Sequence, residues 1–350
     1  MSSSPVPIDI RHLDQDQITE ALSAWGEPAF RARQIWQWLW QKGSRDFASM
    51  TNLPLGLRER LQQQFVINGL VPDKSQFSED GTIKNRYVLH DGFKVESVLI
   101  PVPDEQRFTA CVSCQVGCSL TCSFCATGQM KRVRNLDPGE IVDQVEMVNA
   151  QSMERFGHPL TNIVFMGMGE PLLAYGPVMQ SIERITAPDG LGFSPRRITL
   201  STAGIAKMIR RLADDNPKVN LALSLHAADD AKRDTIMPIN EQNNLESLMD
   251  ALDYFYRVTR NRITYEYIAF NGFNDTLEDA RNLARLTHRF PVRVNIIEYN
   301  PVEGVEMEKS PIDRLDTFAA ELTKLGVTVT VRRSRGKDID AACGQLANKD

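Results

Sequence analysis

The stretch CVSCQVGCSLTCSFCATGQ, residues 111–129, contains five of the six cysteines in this chain of 350 residues. Within it, Cys118, Cys122 and Cys125 follow the spacing Cys-x-x-x-Cys-x-x-Cys. Three thiolates on one short loop can bind three irons of a cubane iron–sulfur cluster and leave the fourth iron without a protein ligand. A metal site with an open coordination position is typical of catalysis. The loop therefore favours a cluster that takes part in chemistry.

Two other interpretations of the cysteines remain open at this point. A structural zinc site usually has four ligands, often including a second pair of Cys or His. Here only Cys114 or the distant Cys343 could complete such a site, and no further Cys-x-x-Cys or His pair follows. A disulfide framework would scatter its cysteines through a smaller, secreted chain. The spacing favours a cluster first, zinc second and disulfides third.

The composition is typical of a globular protein, with 42% hydrophobic and 24% charged residues. No apolar run approaches the length of a membrane span, and the N-terminal MSSSPVPIDI lacks the pattern of a secretory signal. We therefore expect a cytoplasmic protein without a membrane partner. The net charge of −5 gives no argument for nucleic-acid binding by itself. Local basic clusters do occur, at residues 131–134, 196–197 and 332–337.

The pattern of apolar residues changes at about residue 105. Residues 1–105 predict an accessory domain with a helical stretch over Asp14–Gln41, a helix over Leu55–Phe65 and a hairpin whose turn is His90-Asp91-Gly92. Residues 106–350 alternate between β-branched apolar strands and helices. This alternation predicts a parallel sheet, and about six βα units are too few for a closed eightfold barrel. The predicted fold is α/β, a partial (open) βα barrel with an N-terminal helical accessory domain and β-hairpin.

The residues with chemical potential cluster after the predicted strands. Those strands are Phe108–Ser113, Asn162–Gly167, Arg197–Thr202, Asn220–His226, Arg262–Phe270, Arg293–Tyr299 and Val327–Arg332. The predicted helices are Asp137–Phe156, Ile205–Leu212, Leu245–Thr259, Leu277–Phe290 and Pro311–Leu325. Functional residues of parallel βα folds lie at the carboxyl ends of the strands. The glycine-rich stretch Gly167–Pro171, Ser201, Ser224–His226 and Asn300 are therefore expected to surround one site with the cysteine loop.

The cysteine loop resembles the cluster motif of the radical S-adenosylmethionine (SAM) superfamily, in which an aromatic residue, here Phe124, precedes the last cysteine. The stretch GMGEP at residues 167–171 is similar to the glycine-rich SAM loop of that superfamily. The resemblance implies a 4Fe–4S cluster on Cys118, Cys122 and Cys125, whose fourth iron binds SAM. It also implies that SAM is cleaved to a 5′-deoxyadenosyl radical.

A narrower resemblance, to the RlmN/Cfr family of RNA methyltransferases, covers nearly the whole chain. It rests on VESVLIP at residues 95–101, CVSCQVGC at 111–118, GMGEP at 167–171, STAG at 201–204, SLHA at 224–227, the Asn300-Pro301 turn and RGKDIDAACGQL at 335–346. The family acts on adenine, whose electron-poor ring carbon does not attack a methyl sulfonium as a nucleophile would. A radical route meets this requirement.

The family resemblance implies a reaction that uses two SAM molecules per turnover. Cys343 takes a methyl group from the first, and the radical from the second removes a hydrogen atom from that group before it adds to adenine. Glu96 is implied as the proton acceptor. Cys111 is implied as the thiol that attacks the Cys343 sulfur, forming a disulfide and releasing the product. The implied SAM contacts are Gly169, Glu170, Ser201, Ser224, Leu225, His226 and Asn300.

The C-terminal stretch 333–340 is similar to RlmN-type members, which methylate carbon 2 of adenosine in the peptidyl-transferase region of 23S rRNA and in tRNA, 3′ to the anticodon. A Cfr-type enzyme, which methylates carbon 8, is the alternative. The implied partners are 23S rRNA, tRNA and an electron donor of the flavodoxin or ferredoxin kind, with a monomeric enzyme. A radical SAM enzyme acting on a small molecule and a non-enzymatic, metal-binding RNA-binding protein are further alternatives.

Overall fold

The structure is a computed structural model that describes residues 7–349. Its first part contains β1 (Ile8–Asp9), α1 (Gln15–Ser23), α2 (Phe30–Trp40), α3 (Leu55–Gln64), β2 (Phe65–Val66), β3 (Val71–Phe77), β4 (Ile83–Val88) and β5 (Lys94–Val102). The elements that follow are β6 (Arg107–Cys111), β7 (Gln115–Val116), β8 (Arg134–Asn135), α4 (Pro138–Phe156), β9 (Asn162–Phe165), α5 (Tyr175–Thr186), β10 (Ile198–Thr202), α6 (Ala206–Asp215), β11 (Asn220–Ser224), α7 (Asp230–Ile236), α8 (Leu245–Thr259), β12 (Ile263–Ala269), α9 (Leu277–Leu286), β13 (Val292–Glu298), α10 (Ile312–Lys324) and β14 (Thr328–Arg332).

One ten-stranded sheet organises the molecule, in the order β14-β13-β12-β11-β10-β9-β6-β5-β4-β3. Neighbours from β6 to β14 pair in parallel, whereas those from β3 to β6 pair antiparallel. The sheet runs from β14 at one end to β3 at the other without closing. The predicted α/β fold with an open barrel is therefore confirmed, as is the helical N-terminal region.

The central strands are apolar on both faces, which explains why the sequence located them well. Leu221, Ala222 and Leu223 of β11 are all 0% exposed. Strands of a parallel sheet are covered on both faces, so a continuous apolar run replaces the alternating pattern of a half-exposed strand. This burial leaves the strand ends as the place where polar side chains can meet a ligand.

The N-terminal helical stretch differs from the prediction. Instead of one helix over 14–41, α1 ends at Ser23 and α2 begins at Phe30. Gly26 adopts a φ of +78°, a left-handed conformation that an L side chain rarely takes, and Pro28 cannot donate a backbone hydrogen bond. The break lets α1 and α2 pack against each other.

Strand β3 and helix α5 are among the elements that the sequence pattern did not predict. Strand β3 lies at the sheet edge with mostly exposed side chains, so it shows no apolar alternation. Helix α5 begins with Tyr175-Gly176-Pro177, and Gly-Pro usually indicates a turn. The hairpin strands β4 and β5 do not stand apart but continue the sheet of the barrel, because β5 pairs with β6.

Within residues 7–349, each helix is either too short or too polar to cross a lipid bilayer. The N-terminal stretch considered for a secretory signal falls mostly on residues 1–6, outside the described residues.

Candidate active site

The loop after β6 holds the three cysteines of the Cys-x-x-x-Cys-x-x-Cys motif against the strand ends. The Phe124 ring, 6% exposed, lies edge-on to the His226 ring with centroids 4.9 Å apart, and 5.6 Å from that of Phe270. Cys122 and Cys125 pack against the same cluster. Because Phe124 lies between these cysteines in sequence, its burial fixes where their thiols lie.

The environment of these thiols fits sulfur ligands. The Leu120 amide donates to the Cys118 sulfur at 3.4 Å, and the amides of Thr127 and Gly128 donate to Cys125. Burial, and after it the neighbouring negative charges, raise the pKa of Cys118 to about 11 and shift that of Cys122 in the same direction. A cluster of thiols with N–H groups directed at sulfur is suited to binding iron, which replaces the proton on each sulfur.

No group of three or more His, Cys, Asp or Glu side chains within the described range is placed to hold a single metal ion. The three thiolates of a cubane cluster bind three different irons, so they need not converge on one point.

The GMGEP loop packs directly on the cysteine segment. Gly169 has a φ of +101°, and a Cβ added there would lie 2.5 Å from the Cβ of Gln115. The Gln115 side chain accepts from the Glu170 amide at 2.9 Å. The Glu170 carboxylate is buried and accepts from the amides of Leu172 and Ala203, at 3.0 and 2.8 Å. It therefore ties the GMGEP loop to the STAG loop, and its burial raises its pKa.

Two serines and a histidine occupy the next strand ends. Ser201 Oγ and Ser224 Oγ are 3.3 Å apart. His226 has a φ of +55°, and its Nδ1 accepts from the Ile268 amide at 3.1 Å. Burial, and then the positive charge of Arg233, lower the pKa of His226 to about 3. The ring is therefore neutral with its proton on Nε2.

Asn300 lies where β13 meets the C-terminal end of the chain. Its Nδ2 donates to Ser334 Oγ at 3.0 Å. Nearby Glu298 accepts from Lys337 Nζ at 2.6 Å and from Arg333 Nη1 at 2.9 Å. Burial opposes ionisation of Glu298, but these hydrogen bonds and the charge of Lys309 outweigh it and lower its pKa to about 2.

The segment that carries Cys343, residues 335–349 and here called the C-terminal segment, is bound to the cysteine loop. The Ala126 amide donates to the Gly344 carbonyl at 2.7 Å, and Thr127 Oγ1 donates to the Leu346 carbonyl at 2.6 Å. The thiol of Cys343 interacts electrostatically with the thiols of both Cys111 and Cys125. The methyl carrier, the resolving thiol and a cluster cysteine expected from the sequence therefore lie in one neighbourhood.

The thiols of Cys111 and Cys343 differ in exposure, and neither forms a disulfide in this structure. Cys111 is buried, and burial raises the pKa of its thiol to about 12, with the charge of Cys343 adding to the effect. Cys343 is exposed to solvent, yet the surrounding protein and the negative charge of Glu266 raise its pKa.

Two regions of the chain match known family models. Residues 8–67 match the ribosomal RNA large subunit methyltransferase N-terminal domain, and residues 112–286 match the radical SAM superfamily. A probable dual-specificity RNA methyltransferase RlmN from Christiangramia forsetii is 53% identical over 97% of this chain and 96% of its own length. A dual-specificity RNA methyltransferase RlmN from an Anaeromyxobacter species is 45% identical over 97% of this chain and 90% of its own length.

A solved structure agrees with these relatives. The crystal structure of a radical SAM methyltransferase from Sphaerobacter thermophilus is 40% identical, covers 98% of this chain and 100% of its own, and has a TM-score of 0.92. This chain belongs to the RlmN family of radical SAM methyltransferases. It is a SAM-dependent RNA methyltransferase, and the radical SAM family to which it belongs uses SAM and a 4Fe–4S cluster.

One expected residue of this RlmN-family site sits differently from the others. Leu225 is 0% exposed, its amide donates to the Glu266 carbonyl, and its own carbonyl accepts from Arg233 Nε. Its side chain and both backbone polar groups are thus occupied within the protein, so it contributes packing and loop shape.

Two charged residues of this RlmN-family chain were missed by sequence reasoning. Arg233 is 0% exposed and donates to the carbonyls of Ala203, Ser224 and Leu225, which joins two of the strand ends. Nothing in the sequence of α7 separates it from an exposed helical arginine. Glu266, in contrast, interrupts the apolar strand ITYEYIA, and that interruption was a usable signal.

Glu266 presents an unsatisfied oxygen inside the barrel. Its Oε1 accepts from Thr264 Oγ1 at 2.8 Å and Asn295 Nδ2 at 2.7 Å. Its buried Oε2 has no hydrogen-bond partner among residues 7–349 and lies 4.0 Å from Arg332 Nη1. Glu266 pairs in register with Ser224 of β11, so the two side chains share one face of the sheet. A buried oxygen without a donor fits a site completed by a bound molecule with hydroxyl or amine groups.

Proposed function

We propose that this chain methylates carbon 2 of adenosine in the peptidyl-transferase region of 23S rRNA and in tRNA, 3′ to the anticodon. The observation that carries the proposal is that Cys343, in the C-terminal segment, lies near enough to interact electrostatically with Cys111 at the end of a strand and with Cys125 in the cysteine loop. A radical SAM enzyme acting on a small molecule has no need of the two additional thiols.

The donor sets support the proposed cofactor sites. Cys118, Cys122 and Cys125 would hold the 4Fe–4S cluster, and the strand-end residues Gly169, Glu170, Ser201, Ser224, His226 and Asn300 would surround SAM. Leu225 would shape the loop between Ser224 and His226. When bound, the cluster and two SAM molecules supply the methyl group, the radical that activates it and the one-electron oxidation that follows its addition to the base. An electron donor of the flavodoxin or ferredoxin kind is the proposed partner.

The chain's own residues perform the remaining steps. Cys343 accepts the methyl group on its sulfur, which is a displacement that a thiolate performs well. Glu96 accepts the proton from the ring carbon once the methylene has joined Cys343 to the base. The Cys111 thiolate then attacks the Cys343 sulfur: an S–S bond forms, the S–CH2 bond breaks, and the carbon takes up a proton to become the product methyl group. A two-electron reductant restores both thiols.

The first part of the chain is the proposed RNA-binding accessory domain, over residues 1–105. The support is its match over residues 8–67 to the ribosomal RNA methyltransferase N-terminal domain. The enzyme is proposed to act as a monomer in the cytoplasm and to take the target base out of its stack.

The test is anaerobic turnover of the iron-loaded protein with methyl-labelled SAM, on 23S rRNA fragments and on tRNA. Mass spectrometry then maps the labelled carbon. Label at carbon 2 in both RNAs is the expected result. Label at carbon 8 would instead assign the Cfr-type reaction, and unlabelled RNA together with intact SAM would reject the proposal. Stoichiometric zinc without iron would also reject it.

A further inference from the structure

The C-terminal segment is held mainly by the hairpin of β3, β4 and β5. The Gly336 amide donates to Asp80 Oδ2 at 2.9 Å, and Ser78 Oγ donates to Asp338 Oδ1 at 2.6 Å. Near the other end of the segment, Asn348 Nδ2 donates to the Lys94 carbonyl at 2.8 Å. Cys343 lies between these anchors, so the hairpin sets the position of the methyl carrier.

Glu96 of β5 makes the central contact between the hairpin and the C-terminal segment. Its Oε2 accepts from the amides of Ala347 and Asn348, at 3.0 and 3.2 Å. Its Oε1 lies 3.7 Å from Lys84 Nζ, and the two side chains are 1% and 4% exposed. Lys84 Nζ also donates to the Asp340 carbonyl at 3.3 Å. The buried ion pair thus touches the C-terminal segment on both sides of Cys343.

These contacts depend on the negative charge of Glu96. A carboxylate accepts hydrogen bonds more strongly than a neutral carboxylic acid does, because its charge assists each bond. Protonation of Glu96 would also leave Lys84 as a buried cation without its partner, which is unfavourable. A proton on Glu96 therefore weakens the hydrogen bonds that Glu96 accepts from the amides of Ala347 and Asn348.

We infer that Glu96 is the positioning residue that holds the segment carrying Cys343, and that the proton it takes from adenine releases this hold. The inference rests on the proposed function. In the step, the ring C–H bond breaks, its electron pair stays in the ring and the proton passes to the Glu96 carboxylate. The freed segment then lets the Cys343 sulfur move into bonding distance of the Cys111 sulfur. Proton removal is thereby coupled to disulfide formation, and the resolving attack cannot precede it.

The coupling is tested on the full chain without RNA, by amide hydrogen exchange. Glu96→Gln removes the charge at nearly constant shape and so mimics the protonated acid. We expect exchange in residues 345–349 to accelerate by about tenfold, the loss of one charge-assisted hydrogen bond. The matched control is Glu105→Gln, which changes an exposed carboxylate after β5 that pairs with Arg107 at 3.1 Å and should leave that exchange unchanged.

A second readout follows the two thiols. With a mild thiol oxidant, peptide mapping measures how fast the Cys111–Cys343 disulfide forms. Glu96→Gln should accelerate this rate by about tenfold as well, whereas Glu105→Gln should match the wild type. A purely structural contact would not link a substitution that removes only the charge of Glu96 to faster pairing of these two sulfurs.

Exchange and disulfide rates in Glu96→Gln that equal those of the wild type would overturn the inference. Exchange that accelerates throughout the ten-stranded sheet would overturn it too, because Glu96 would then stabilise the whole fold. Neither measurement requires methylation. Wild-type turnover on RNA therefore tests the proposed function separately, and the two ideas can fail independently.

Discussion

The thiols of Cys111 and Cys343 lie near enough to interact electrostatically, yet the chain holds them in opposite ways. Cys111 ends β6 and is fixed by hydrogen-bonded neighbours on both sides, β5 and β9. Cys343 lies in a segment that forms no strand pairing within residues 7–349 and is attached through side-chain and loop contacts. A segment held in this way can open locally while the sheet remains folded. In the proposed reaction, the mobile step therefore falls to Cys343, and Cys111 is the fixed target.

The largest expected effect tests the fixed thiol. Cys111→Ala should leave methyl transfer to Cys343 intact but block product release, so that a protein–RNA adduct accumulates. Turnover should fall on the order of 10³-fold or more. Gel analysis of labelled RNA, with and without protease, measures the adduct.

The neighbouring Cys114 provides the control for that change. It is 2% exposed and lies three positions after Cys111 in the sequence. Cys114→Ala removes one buried sulfur, which should cost about 1 kcal/mol of stability and leave turnover almost unchanged. An equal loss of turnover in both variants would contradict the role of Cys111 as the thiol that attacks Cys343.

The next effect concerns Arg233, which joins the ends of two strands of the sheet that holds Cys111. Arg233→Met removes the guanidinium that donates to the carbonyls of Ala203, Ser224 and Leu225, and it should lower the free energy of unfolding by about 3–5 kcal/mol. Urea unfolding measures it. Arg210→Met, an exposed arginine that contacts the Tyr254 ring, should change stability by about 0.5 kcal/mol or less. Similar values for both would contradict a structural role for the buried guanidinium.

The smallest effect concerns Glu298, which binds Lys337 near the beginning of the C-terminal segment. Its pKa is lowered to about 2, so its ionised form favours the folded state. That contribution is fully present above the ordinary value of 4.5 and is lost as pH falls through about 2. Glu298→Gln should lower the unfolding free energy at neutral pH by about 1–2 kcal/mol, since solvent screens the half-exposed cations.

Urea unfolding at a series of pH values checks this expectation. The difference between the wild type and Glu298→Gln should shrink between pH 4.5 and 2. A difference that does not change across that range would mean that the Glu298 charge contributes nothing.

The sequence predicted the buried barrel strands to within about two residues, since continuous apolar runs locate parallel strands well. It failed where distant partners decide the outcome. The burial of Arg233 depends on carbonyls that only the fold brings together, and α5 begins with residues that usually form a turn. Glu96 was chosen through the family resemblance, whereas its contacts with Ala347 and Asn348, some 250 residues away, could be learned only from the structure.

The backbone and hydrogen bonding of His226 limit how rate measurements can be interpreted. A ring whose Nδ1 is committed to the Ile268 amide and whose pKa lies near 3 stays neutral throughout the range in which this enzyme would be assayed. Any ionisation that appears near neutrality in a plot of rate against pH must then be assigned to another group, although histidine is the residue a kineticist would name first.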